Sequence, residues 1–123
     1  MPARLRPLPA DHLAEVLRRL DTADGAAPTP VDDERAAVRH FLAVLASRHP
    51  GRSVEVRVPP YAAVQCIAGA RHTRGTPPAV VETDATTWLA LARGRIAFTE
   101  AVSAGTVRAS GERSDLTEQL PLL

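Results

Sequence analysis

Six consecutive positions, Arg71, His72, Thr73, Arg74, Gly75 and Thr76, gather two guanidiniums, an imidazole, two hydroxyls and a permissive backbone into one short segment. Donors of this kind grip a phosphate or carboxylate, because guanidinium matches either anion and a turn can aim its amides at it. Arg57, on the outward side of a neighbouring strand, is placed to join Arg71, His72 and Arg74 in an anion or headgroup site. Read without a ligand, the same segment is a solvated hairpin loop. Cys66 is the other group with intrinsic reactivity, since an imidazole such as His72 can draw off a thiol proton. A lone cysteine within a strand is more often a small buried hydrophobe, so no catalytic residue is assigned. Gln65, on the opposite strand face, is the better polar candidate, set against a plain cross-strand hydrogen bond. His72 lacks the companion ligands zinc requires, so neither a metal nor a cofactor is expected.

These groups need elements to hold them. Leu13, Val16, Leu17 and Leu20 recur at helical spacing behind a cap at Asp11, and Val38, Phe41, Leu42 and Leu45 recur behind Thr29 and Pro30. The second helix should stop near His49, because Pro50 disfavours helical geometry in the residue before it. From Ser53 the period changes to two: Val54, Val56 and Val58 face one way, Glu55 and Arg57 the other. The runs AAVQCIAG and PAVVET follow, and the three read as an antiparallel meander. Asp84 caps a short helix ending at Gly94, a second short helix from Thr99 to Ala104 ends at Gly105, and TVRAS is a further strand. Ser114 is placed to cap a terminal amphipathic helix carrying Leu116 and Leu120.

With 123 residues the chain fits one domain: a helical pair over 1–50, a sheet with inserted short helices over 53–111, and a terminal helix and tail over 114–123. A net charge of +1 supplies no clustered basic excess for a phosphate backbone, so nucleic acid is not an expected partner. All fifteen basic residues are Arg, interleaved with Asp and Glu. One cysteine excludes an intrachain disulfide framework and suits a reducing cytoplasm, the expected location. Neither a transmembrane run nor an apolar signal core is present.

The stretch TDATTWLALARGRIAFTEAVSAGTVRASGERSDL resembles the C-terminal half of sterol-carrier-like (SCP-2-like) domains, through Asp84, Leu89, Leu91, Gly94, Ala101, Val102, Gly105 and Gly111. With VRVPPYAAVQCIAGARHTRGTPPAVVETD, the likeness extends over roughly residues 52–120 and points to the compact stand-alone members of actinobacteria. It implies an α+β fold: a curved, mainly antiparallel sheet of about five strands with helices packed on one face. An apolar tunnel lies between the layers in lipid-binding members, with the terminal helix as its lid. This chain is trimmed around its third strand and ends Leu-Pro-Leu-Leu, without a peroxisomal tail.

The large apolar residues expected to wall such a cleft are Val64, Trp88, Leu89, Phe98, Leu116, Leu120 and Leu122; packed against one another, they would instead be ordinary core. The resulting expectation is a non-catalytic protein that binds a lipid or other apolar small molecule. The same resemblance allows an accessory role beside a separate partner enzyme, as in mycothiol-dependent isomerases, while the trimmed length and small residues allow a structural or homodimer-forming protein whose core is closed by its own side chains.

Overall fold

Valine at every second position builds the first strand. Val54, Val56 and Val58 are fully buried while Arg57 reaches outward and Glu55 is half-buried. The computed structural model describes residues 5–22, 31–69, 79–111 and 114–123. It places this strand, β1 (Val54–Val58), inside a four-stranded sheet with β2 (Ala62–Cys66), β3 (Ala79–Thr83) and β4 (Val107–Ser110), in the order β2-β1-β3-β4. β1 pairs antiparallel with β2 and parallel with β3, and β3 pairs antiparallel with β4. The sheet is therefore mainly antiparallel, but the simple meander is corrected: β3 lies across β1 from β2. The burial patterns give the reason. β3 buries Ala79, Val81 and Thr83, which fits an inner strand, whereas β2 buries only Cys66 and fits an edge. The parallel register Val54↔Ala79 and Val56↔Val81 lines up the apolar residues of both strands on one face.

The described residues also form four helices: α1 (Ala10–Thr22), α2 (Val31–Arg48), α3 (Ala85–Ala92) and α4 (Phe98–Ser103). Val38, Phe41, Leu42 and Leu45 of α2 have no accessible surface and share one core with the inner valines of the sheet. α1 packs on α2 through Val16, and the Arg19 guanidinium grips Asp33 with two hydrogen bonds of 2.9 Å. α3 starts where Asp84 accepts a hydrogen bond from the Thr87 amide at 2.7 Å. Trp88 then donates its indole N–H to the Val38 carbonyl at 3.3 Å, tying α3 to α2.

Two expectations change. The terminal helix is a single turn, with Leu120 N–H and Gln119 N–H both donating to the Leu116 carbonyl, and Asp115 rather than Ser114 accepting from the Thr117 amide. Pro121 follows too soon: it disfavours helical geometry at Leu120, leaving no length for a helix to nucleate. The fifth strand of the resemblance is not present among the described residues, which hold no further alternating apolar run.

The β1 entry is tightly drawn. Ile67 N–H donates to the His49 carbonyl, and Ser53 donates to the Ile67 carbonyl through both its amide (3.0 Å) and its hydroxyl (2.6 Å). Ile67 sits at φ +66°, costly for a β-branched side chain. A Cβ on Gly51 would lie 2.1 Å from the Ile67 carbonyl carbon, so only glycine fits. Gly51→Ala is expected to destabilise the fold by about 2 kcal/mol or more, read from the midpoint of urea unfolding.

Candidate functional site

Helix α2 presents two faces. At 3.6 residues per turn, its core residues occupy one side, while Arg35, Ala36, Arg39, Ala43, Ala46 and Ser47 fall within an arc of about 120° on the flank. The segment Leu5–Pro9 crosses this flank before α1 begins. It is fastened there by His40, whose Nδ1 accepts a hydrogen bond of 2.8 Å from the Leu8 amide. His40 is 7% exposed and stands edge-on to Phe41, with ring centroids 4.9 Å apart.

The crossing leaves an open groove of about 850 Å³ between α2, the edge strand β2 and the N-terminal segment. Ala43, Ala46 and Ala63 keep it wide, and Leu5, Pro7 and Val64 supply larger apolar surface. Arg6, Ser47 and Gln65 are its polar groups. This volume lies within the roughly 300–1,000 Å³ typical of small-molecule sites. A second space of about 440 Å³ adjoins it at Leu5 and Arg6, lined also by Leu8, Asp32, Arg35, Arg39 and His40.

Of the seven residues expected to wall an apolar cleft, only Val64 lines this groove. Trp88 and Leu116 have no accessible surface and Leu122 almost none, so no open space adjoins the first two. Leu122 is also fixed by its amide, which donates to the Ala92 carbonyl at 2.8 Å. Leu89 is half-buried against the core. Phe98 and Leu120 border a separate pocket of about 420 Å³ beneath the turn from Gly94 to Ala97. Trp88 and Leu116 pack within the core, where a large indole and the tail leucine fill the space that small Ala and Val side chains would leave.

Among the polar candidates, Arg57 lies on the exposed sheet face and pairs with Glu55. Arg71, His72 and Arg74 lie outside the described residues. Gln65 opens into the groove from β2. Cys66 is fully buried, and desolvation pushes its thiol up to about 11, so it stays protonated at neutral pH. Among the described residues, no group of three or more His, Cys, Asp or Glu is arranged to hold a metal. No described helix is long and apolar enough to cross a membrane. Sequence reasoning missed the α2 flank because its pattern of Ala and Arg reads as a solvated face; the alanines on that arc were the available signal.

His40 also sets a pH window. Burial, then the charge of Arg48, hold its pKa below the ordinary 6.5. The unfolded chain therefore takes up this proton first as pH falls, so the stabilisation from neutral His40 is full above about 6.5 and declines below it. Carboxylates such as Asp21, held low by the Arg93 guanidinium, lose their contribution only below about pH 4. Unfolding free energy between pH 7 and 5 should fall for the native chain and stay flatter for His40→Gln, measured by urea titration at each pH.

Residues 31–122 match a family model described as bacterial SCP ortholog. A comparison with curated proteins found no match.

Proposed function

The chain belongs to the bacterial SCP ortholog family, whose relation to sterol carrier proteins points to a lipid-binding or carrier role, and on that premise we propose that it is a non-catalytic protein holding an apolar chain in the α2–β2 groove. The observation that carries this reading is the groove itself, about 850 Å³ with alanines on its floor and apolar walls from Leu5, Pro7 and Val64. Burial of a hydrocarbon there is favourable by about 25 cal/mol per Å² of apolar area removed from water. Gln65 and Ser47 offer hydrogen bonds at the rim, which can orient a ligand without committing the site to one polar group. The groove proposed for it lies between α2 and the edge strand β2, on the outer flank of the helix.

The buried, protonated Cys66 contributes packing and no nucleophile. The anion site at Arg71, His72 and Arg74, with Arg57, stands as a separate proposal, its first three residues lying outside the described ones. The reading takes the chain as one domain, which the core shared by α2, the sheet and Leu122 supports.

Displacement of a fluorescent fatty-acyl probe tests this. The native protein should bind it saturably, Ala46→Trp should weaken binding at least tenfold by filling the groove, and Leu89→Trp should leave it unchanged. Retained binding in Ala46→Trp, with loss in Leu89→Trp, would move the ligand to the terminal side of the molecule. Native mass spectrometry of the purified protein, with lipid extraction, identifies what it carries.

A further inference from the structure

We propose that the groove's occupant is a single-chain amphiphile with an anionic head, and that Arg6, Arg35 and Arg39 hold that head. The proposal rests on the reading of the groove as an apolar site and assigns its polar end. Its basis is the run of the α2 flank. Arg35 and Arg39 lie one turn apart on the same arc as Ala43 and Ala46, so the cationic end and the apolar floor belong to one continuous stripe about 16 Å long from Arg35 to Ala46. Arg6 stands at the junction, lining both the apolar groove and the adjoining space that Arg35 and Arg39 border.

The charge there favours an anion. Three guanidiniums face one carboxylate, Asp32, which is almost fully exposed and meets only Arg35, at 3.5 Å. No ion pair among the described residues involves Arg6 or Arg39. His40 Nδ1 accepts from the Leu8 amide, so the imidazole in that contact is neutral and the arginines carry the positive charge of the cluster. Guanidinium suits both carboxylate and phosphate, so the head is defined by charge and planar or tetrahedral oxygens, not by one group. The hydrocarbon would then run from this cluster along Ala43 and Ala46 toward β2.

The test compares probes of one chain length: dodecanoic acid, dodecyl phosphate, dodecanol, and inorganic phosphate alone. At pH 7.5 and low salt the acid and the phosphate ester should bind at least tenfold tighter than the alcohol, and added salt should narrow that gap. Arg35→Ala/Arg39→Ala, two exposed positions, should abolish the preference for the acid and the phosphate ester over dodecanol. Asp32→Asn should raise affinity for the acid two- to threefold and not for the alcohol. Equal binding of acid and alcohol by the native protein would overturn the headgroup assignment and leave the apolar groove standing. Inorganic phosphate binding as tightly as dodecyl phosphate would show a free-anion site and overturn the amphiphile. Failure of all four probes would overturn the reading of the groove as well.

Discussion

Burial of one face of α2 against the inner valines of β1 and β3 is the constraint on which the other elements depend. Val38, Phe41, Leu42 and Leu45 have no accessible surface in the core they share with Val54, Val56, Val58 and Val81, and this apolar burial is the main favourable term available to a small chain. Once α2 is seated, its remaining surface becomes the attachment site for nearly everything else. Trp88 anchors α3 on the Val38 carbonyl, Asp33 receives Arg19 from α1, and Glu34 accepts the Tyr61 hydroxyl at 2.7 Å from the β1–β2 turn. The strap Leu5–Pro9 is fastened to the same helix by His40.

That arrangement leaves the groove where a helix flank of small residues meets an edge strand. α2 runs close to β2 there, and because Ala43, Ala46 and Ala63 present only methyl groups, room remains beside them. Where large side chains were available the chain did the opposite: Trp88, Leu116 and Leu122 fill the space beneath the sheet. A single protein thus places its bulk centrally and its room peripherally, and the peripheral room carries the polar groups a ligand would meet.

The crossing strap gives this groove a wall that differs in kind from the others. Leu5, Arg6 and Pro7 belong to no helix or strand and depend on a few contacts, of which the Leu8 amide to His40 Nδ1 is a directional one. Segments with few buried contacts open at lower free energy than core elements. A groove walled on one side by such a segment can widen without disturbing the sheet.

The sequence by itself determined the local elements. Alternating valines fixed β1, the Asp84 cap fixed the start of α3, the spacing of Val38, Phe41, Leu42 and Leu45 fixed α2, and the ordered stretch from Thr83 to Leu116 made the family legible. These signals are local: a period, a cap or a left-handed glycine acts within a few residues. Tertiary structure alone decided that β3 crosses to pair parallel with β1, that Trp88 and Leu116 close the core, and that the open space lies along Arg39, Ala43 and Ala46. Each of those depends on which surfaces remain after α2 has packed, and a helix flank of Ala and Arg reads the same in sequence whether it faces bulk water or a groove.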